Sequence, residues 1–117
     1  MNAIVPTLYT RELEESIKFY CDFLGFTCNG YDKEYGWATI SNGRVEIMLT
    51  LPNDHLPFEE PFFTGSLYVK LDDVESLWES VKNKVNVSYP LESFDYGMKE
   101  FGMYDNNGYL IQFGQEI

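Results

Sequence analysis

Histidine, cysteine, basic side chains and long apolar runs are all scarce in this sequence. Its 117 residues include one histidine, His55, and two cysteines, Cys21 and Cys28. A metal centre built on histidine or cysteine is therefore not expected, because transition metals need several such ligands. His55 itself lies in the acidic, proline-rich stretch LPNDHLPFEEP, where a ligand would be poorly held.

The chain has no apolar run near the roughly 18 residues that a membrane-spanning helix needs. It shows no signal-peptide pattern at its N-terminus and no lipidation motif. We therefore expect a cytoplasmic protein in a reducing compartment, with Cys21 and Cys28 as free thiols in the core.

Positive charge is also scarce, since eight Lys and Arg face nineteen Asp and Glu and the net charge is −11. Such a charge repels nucleic acid and anionic membranes, so neither is expected as a partner. It attracts cationic small molecules. The alternative is that the excess carboxylates lie on solvated surfaces and only provide solubility.

Aromatic residues are plentiful, at 17% of a chain that is 44% hydrophobic. This composition favours a folded globule over a disordered chain. The length fits a single domain over residues 1–117, so a large ligand site would need a second subunit.

The two halves of the chain show the same order of predicted elements, β-α-β-β-β. In the first module, about residues 1–51, a strand over 3–9 precedes an amphipathic helix with Thr10 as N-cap and Gly25 as its stop. Three strands follow, over 27–31, 37–41 and 44–51, and the last two meet at an Asn42-Gly43 turn.

The second module, about residues 64–117, repeats the pattern. A strand over 66–71 leads to a helix capped by Asp72 or Asp73, and strands follow near 85–88, 99–104 and 109–114. Residues 52–63 carry three prolines and are predicted to be a stiff linker, whose phenylalanines would need cover from a dimer partner. The predicted class is α+β: two βαβββ modules forming a curved mixed sheet around a cleft, with helices on the outer face.

Four segments of the sequence carry a resemblance to a known family. They are VPTLYTRELEESIKFYCDFLGF, NGRVEIML, GSLYVKLDDVESLWESV and YGMKEFGMYDNNGYLIQFGQ. Together they resemble the vicinal oxygen chelate superfamily, which groups glyoxalase I, ring-cleaving dioxygenases, and fosfomycin- and bleomycin-resistance proteins.

Metalloenzymes of that superfamily place one ligand in each of four strands, and the resemblance puts those positions on Val5, Glu46, Ser66 and Gln112. Counting from the Asn-Gly turns would instead match Ile47 to Gln112. Glu46 is preferred, because strand alternation turns Glu46 and Met48 into the cleft if Ile47 faces the helices. One carboxylate, one hydroxyl and one amide do not make a divalent-metal site, so neither a metal nor another cofactor is expected.

The bleomycin-resistance branch is the most similar, since its members lack the metal ligands and end in a stretch like KEFGMYDNNGYLIQF. The resemblance implies a homodimer that holds a cationic, planar glycopeptide in two acidic grooves lined by aromatic rings. Trp37 and Tyr68 match ring positions of that groove. Members of this branch exchange their N-terminal strand, and the sequence alone leaves open whether this chain does so.

The predicted ligand-binding residues are Trp37, Glu46, Met48, Ser66, Tyr68, Tyr96, Phe101 and Gln112. Trp37 and Tyr68 are equally consistent with core packing. Glu46 would either meet a ligand amine or pair with Arg44 or Lys70. The strand face on which Phe101 lies is not fixed by the sequence. Glu100 is interpreted as a structural carboxylate bonded to backbone amides and is left outside the site.

The favoured function is metal-independent binding of a small molecule, such as a bleomycin-like antibiotic, with no catalytic residue. The alternative is an enzyme of the lyase or isomerase kind, with an atypical metal site or with Glu46 as general base. General-base chemistry needs a second stabilising group, and only Ser66, Gln112 and Lys70 are candidates.

Overall fold

A computed structural model describes residues 1–117, which form two units, Met1–Pro61 and Phe62–Ile117. The first unit contains β1 (Thr7–Tyr9), α1 (Leu13–Leu24), β2 (Thr27–Asp32), β3 (Trp37–Asn42) and β4 (Val45–Thr50). The second contains β5 (Leu67–Lys70), α2 (Val74–Val81), β6 (Asn86–Phe94), β7 (Met98–Tyr104) and β8 (Leu110–Glu116). The predicted α+β class and the β-α-β-β-β order of both halves are confirmed.

Each unit has one four-stranded mixed sheet, in the order β1-β4-β3-β2 or β5-β8-β7-β6. The first strand of each unit pairs in parallel with the last, and the other pairs are antiparallel. A parallel neighbour requires a crossover connection, which the helix and the following hairpin strands supply.

The helix of the first unit packs its apolar side chains on one face of the sheet. Leu13, Tyr20 and Leu24 are buried, and so are the side chains of Ala38, Ile40, Ile47 and Leu49 on β3 and β4. Gly25 ends the helix with a left-handed φ of 69°, as its position predicts. Thr10 lies before the cap position, which Glu12 occupies, and its hydroxyl accepts the Glu12 N–H at 2.9 Å.

In the second unit, Asp73 caps α2, since its carboxylate accepts the backbone N–H of Ser76 at 3.1 Å. The helix buries Val74 and Val81. Trp78 packs on Phe101 of β7, with ring centroids 5.1 Å apart. One face of the second sheet is therefore covered by α2.

Two strands differ from their predicted extent by more than two residues at one end. β1 begins at Thr7 rather than at residue 3, and β6 continues past residue 88 to Phe94. β6 runs through Pro90, which cannot donate to a sheet ladder. It does so because β6 is an edge strand with an irregular register between Tyr89 and Glu92.

The two Asn-Gly turns have different lengths. Asn42 pairs with Val45 in the first unit, whereas Tyr104 pairs with Leu110 in the second, so the second loop is three residues longer. In that loop the Asp105 carboxylate accepts the N–H groups of Asn107 and Tyr109, at 2.8 and 2.9 Å. Positions counted from the two turns are therefore not equivalent.

The segment after β4 is held against the first unit by Arg11. Its guanidinium donates to the carbonyl oxygens of Phe58 and Glu59, at 3.3 and 3.5 Å, and lies 4.8 Å from the centroid of the Phe58 ring. Phe58 is thus covered within its own unit, while Phe62 and Phe63 are exposed.

Cys21 is half-buried and Cys28 is exposed, so the expectation that both thiols lie in the core is wrong, although both are free. Cys28 is exposed because it lies on β2, the edge strand of its sheet. Neither helix is long and apolar enough to cross a bilayer.

Candidate functional site

The eight predicted site residues divide between the two units. In the first unit, Trp37, Glu46 and Met48 lie on the sheet face opposite α1, which we call the tryptophan face. The register pairs Trp37 with Thr50, Thr39 with Met48 and Ser41 with Glu46, and Ile47 and Leu49 alternate onto the helix side. Glu46 and Met48 therefore have the orientation that strand alternation predicts.

Trp37 is 37% exposed, and its ring lies over the neighbouring strand at Gly30. A Cβ atom placed on Gly30 would be 3.2 Å from the ring, so the glycine leaves room for the indole to lie flat. A flat, partly exposed indole offers a stacking surface.

Glu46 is exposed and takes part in no ion pair with Arg44 or Lys70. The parallel registers also pair Thr7 with Met48 and Tyr68 with Gln112. Val5 lies two residues before Thr7, and Ser66 lies two residues before Tyr68. Since Val5 and Ser66 are matching positions in the two units, the counterpart of Gln112 in the first unit is Met48. The match of Glu46 to a ligand position is therefore not supported.

In the second unit, the buried carboxylate of Glu100 accepts hydrogen bonds from three tyrosines on the sheet face opposite α2. Glu100 is 2% exposed and accepts the hydroxyl of Tyr89 at 2.5 Å and that of Tyr68 at 3.2 Å. It also accepts the Tyr96 hydroxyl. We call this surface, with Gln112, the tyrosine face. No Lys or Arg pairs with Glu100.

Glycines make room for two of these rings. A Cβ on Gly102 would lie 2.3 Å from the Tyr89 ring, and one on Gly114 would lie 2.0 Å from the Tyr68 hydroxyl oxygen. Both distances are far below van der Waals contact. Tyr89 and Tyr68 therefore lie flat across the strands and reach Glu100 only because their neighbours lack side chains.

Gln112 connects Ser66 to the tyrosines. Its amide oxygen accepts the Ser66 hydroxyl at 2.5 Å, and its amide nitrogen donates to the Tyr89 hydroxyl at 2.9 Å. Tyr89 donates in turn to Glu100. Ser66, Tyr68, Tyr96 and Gln112, predicted from the sequence, thus meet in one hydrogen-bonded network.

Tyr96 extends from the turn between β6 and β7 back over the sheet. Its ring stacks on Phe94, with centroids 5.3 Å apart and planes 6° from parallel, and it is 65% exposed. Tyr89 contacts Phe94 edge-on, with ring centroids 6.1 Å apart. Three aromatic rings therefore line one side of Glu100.

The tyrosines hold their protons more tightly than usual. The hydrogen bond to Glu100, with burial second, raises the pKa of Tyr96 to about 12. Burial raises the pKa of Tyr89 further, and the hydrogen bond to Glu100 adds to it. Burial and the negative charge of Glu100 also raise the pKa of Tyr68. At neutral pH all three hydroxyls are protonated donors to the carboxylate.

Two concavities lie on the tyrosine face and share Tyr96, Glu100 and Gln112. One, of about 390 Å³, is completed by Tyr68, Lys70 and Met98. The other, of about 280 Å³, is completed by Tyr89, Glu92 and Phe94. Both combine aromatic rings, which can pack on a ligand, with polar side chains that can fix its orientation.

Phe101 lies on the other side of the second sheet. It is fully buried, and its ring is 5.1 Å from Trp78 and 5.3 Å from Phe113. Because Glu100 faces the tyrosines, the next residue must face the helix. Phe101 is core and does not belong to the tyrosine face.

Glu100 and Tyr89 are the residues that sequence reasoning missed. Glu100 was interpreted as bonded to backbone amides, whereas its partners are the three tyrosine hydroxyls. One usable signal was present: Gly102 and Gly114 lie inside predicted strands, and a glycine within a strand often marks a close approach by another group.

The positions at which the resemblance places metal ligands do not fit a divalent ion. They carry Val5, Glu46 or Met48, Ser66 and Gln112, and no three His, Cys, Asp or Glu side chains cluster anywhere in the chain. The amide of Gln112 is already engaged by Ser66 and Tyr89. A site of one hydroxyl and one amide is too weak for a transition metal.

Comparison with known proteins gives a family-level match. The sequence model described as "Glyoxalase/Bleomycin resistance protein/Dioxygenase superfamily" matches residues 2–113. A bleomycin resistance protein of Geobacillus stearothermophilus is 26% identical over 129 residues, which cover 97% of this chain and 96% of that protein. One from Staphylococcus aureus gives the same figures.

Solved structures match the fold over nearly the whole chain. A protein of unknown function from Agrobacterium tumefaciens has a TM-score of 0.81 at 21% identity, covering 100% of this chain and 95% of that one. A lactoylglutathione lyase from Agrobacterium tumefaciens has a TM-score of 0.74 at 18% identity, covering 98% and 94%. At these identities the likeness shows the fold alone.

Proposed function

Because the chain belongs to the Glyoxalase/Bleomycin resistance protein/Dioxygenase superfamily, we propose that it is a metal-independent binding protein that sequesters a small cationic or aromatic molecule. The tyrosine face receives the ligand's polar group. The bleomycin resistance proteins to which the chain is similar make a bleomycin-like antibiotic the first ligand to test. Sequestration requires affinity for the ligand but no catalytic step. It therefore suits a site that offers neither a set of metal ligands nor a general base with a stabilising partner.

The observation that carries this proposal is the hydrogen-bond polarity around Glu100. All three tyrosines donate their only hydroxyl hydrogen to the carboxylate, so their oxygens offer lone pairs and no donor to a ligand. The carboxylate has no basic partner. A ligand that brings N–H donors or a positive charge is therefore complementary to this surface, and aromatic faces add cation-π attraction.

The lyase or isomerase alternative has less support. Glu46, its general base, is exposed and has no ion-pair partner. A carboxylate that acts as a general base is commonly held in a desolvated cleft, and Glu46 is exposed. Ser66 and Gln112, two of its three candidate stabilising groups, are hydrogen-bonded to each other.

We also propose that the protein acts in the cytoplasm as a homodimer. The resemblance to the bleomycin-resistance branch supports a dimer, and so do the exposed rings of Phe62 and Phe63, because exposed aromatic clusters commonly mark a contact surface. Sedimentation equilibrium at several concentrations checks this, and a constant monomer mass would contradict it.

The ligand proposal is tested by calorimetric titration with metal-free bleomycin. We expect saturation at about one ligand per chain and a loss of about tenfold or more in affinity in Glu100→Gln, since a hydrogen bond to a charged group contributes about 1.5–3 kcal/mol. Glu34→Gln, at an exposed acid in the turn between β2 and β3, is the matched control. Circular dichroism must show that Glu100→Gln is folded.

Equal affinity in wild type and Glu100→Gln would remove the tyrosine face from the site. An absence of any bleomycin binding would exclude that antibiotic, and the same titration with other aromatic cations then decides whether the surface binds this class at all.

A further inference from the structure

The two concavities of the tyrosine face carry opposite charges. Lys70 lines the larger one, and Glu92 lines the smaller one. The two concavities adjoin, because Tyr96, Glu100 and Gln112 line both. Each charge thus lies in one of two adjoining concavities.

Neither charge is neutralised within the chain. Lys70 and Glu92 are exposed and occur in none of the four ion pairs, which all involve other lysines. Lys99, by comparison, pairs with Glu75 at 3.1 Å on the helix side of the same sheet. Glu92 also lies directly across from Glu100 in the register of β6 and β7. Like charges placed opposite each other on neighbouring strands are destabilising, so a cation at this point relieves a repulsion.

We propose that the ligand carries one cationic and one anionic group, which bind in the two adjoining concavities. The cation lies beside Glu92, Glu100 and the Phe94 ring, and the anion lies beside Lys70. This inference rests on the proposed function, namely that the tyrosine face binds a small molecule, and it adds the ligand's class: a zwitterion with a flat or slender centre.

The ligand must hold its two charged groups apart, because Lys70 and Glu92 line different concavities. A ligand with both charges on one atom centre cannot reach both concavities. A ligand with two cations would place one of them beside Lys70 and is disfavoured there.

The test uses three probes of matched shape: benzylamine, para-toluate and para-aminomethylbenzoate, which are a cation, an anion and the zwitterion that combines them. Binding is followed by chemical-shift titration of the backbone amides at low ionic strength. We expect the zwitterion to bind about fivefold more tightly than benzylamine, which is the gain from one partly exposed ion pair of about 1 kcal/mol.

Two variants separate the charges. Lys70→Met should reduce the zwitterion's affinity to that of benzylamine and leave benzylamine unchanged or slightly tighter. Glu92→Gln should lower the affinity for both ligands that carry an amine, benzylamine and para-aminomethylbenzoate. Lys84→Met and Glu34→Gln are the matched controls, at an exposed lysine beyond α2 and an exposed acid in the first unit, and should change neither affinity. All four positions are exposed, so the variants are expected to fold.

The outcomes distinguish the two proposals. If benzylamine binds at the tyrosine face and the zwitterion binds no better, or if Lys70→Met leaves the zwitterion's advantage intact, the two-charge ligand is wrong and the binding function stands. If no probe shifts the amides of β6, β7 and β8, both proposals fail.

Discussion

The hydroxyl of Tyr96 donates a hydrogen bond to Glu100, and this predicts how the stability of the protein depends on pH. Folding raises its pKa from the ordinary value of about 10 to about 12, chiefly through the hydrogen bond to Glu100. The folded state therefore keeps a proton that the unfolded chain loses. The stabilisation is complete below pH about 10 and is lost as pH rises through about 12.

Absorbance of tyrosinate against pH checks this. Tyr96→Phe should remove a component that titrates near 12 in the wild type. Tyr35→Phe, at an exposed tyrosine in the turn between β2 and β3, controls for the loss of one chromophore. If Tyr96→Phe instead removes a component near the ordinary value of about 10, Tyr96 is not bonded to Glu100 in solution.

At this same scale, sequence reasoning located much of the network but not its centre. Ser66, Tyr68 and Gln112 were predicted from the family resemblance and Tyr96 from its loop, and they meet in the structure. Glu100 was assigned a structural role because residue type alone does not reveal a partner. Its tyrosines are 32, 11 and 4 residues away in sequence, and only the register of β5 to β8 brings them to it.

At the scale of elements, Gly102 and Gly114 leave the space on the second sheet that Tyr89 and Tyr68 occupy. We expect Gly114→Ala to destabilise the protein by about 1–3 kcal/mol, the usual cost of overpacking, since its Cβ would lie 2.0 Å from the Tyr68 hydroxyl oxygen. Denaturant unfolding measures the change. In a Tyr68→Ala background the same substitution should cost less, because the ring it meets is gone. Equal costs in both backgrounds would show that Tyr68 does not lie over β8.

Element boundaries were predictable where one residue determines the local geometry. Gly25 ends α1 and Asp73 caps α2 as their types predict. The length of β6 was not predictable, because Pro90 is typical of a strand end. A proline is tolerated within a strand only at the edge of a sheet, and the strand order that makes β6 an edge strand is not visible in its local sequence. Counting from the Asn-Gly turns gave Ile47 rather than Met48 as the counterpart of Gln112, since the loop in the second unit is three residues longer.

At the scale of the whole molecule, the net charge of −11 acts on every ligand that approaches. Association with a cation should be fast at low salt and slow as ionic strength rises, because the Debye length falls from about 30 Å at 0.01 M to about 8 Å at 0.15 M. We expect benzyltrimethylammonium to lose affinity over this range, mostly through a lower association rate. Benzyl alcohol, a neutral ligand with the same ring, should be insensitive to salt.

Rates from relaxation-dispersion titrations of the two ligands, at both salt concentrations, decide what the acidity does. A salt effect confined to benzyltrimethylammonium means that the excess carboxylates steer cations toward the protein. Equal behaviour of the two ligands would assign the carboxylates to solubility alone and leave recognition to Glu100 and its tyrosines. The two roles differ physically, because exposed charges act over a Debye length and are screened by salt, whereas the buried Glu100 is screened much less.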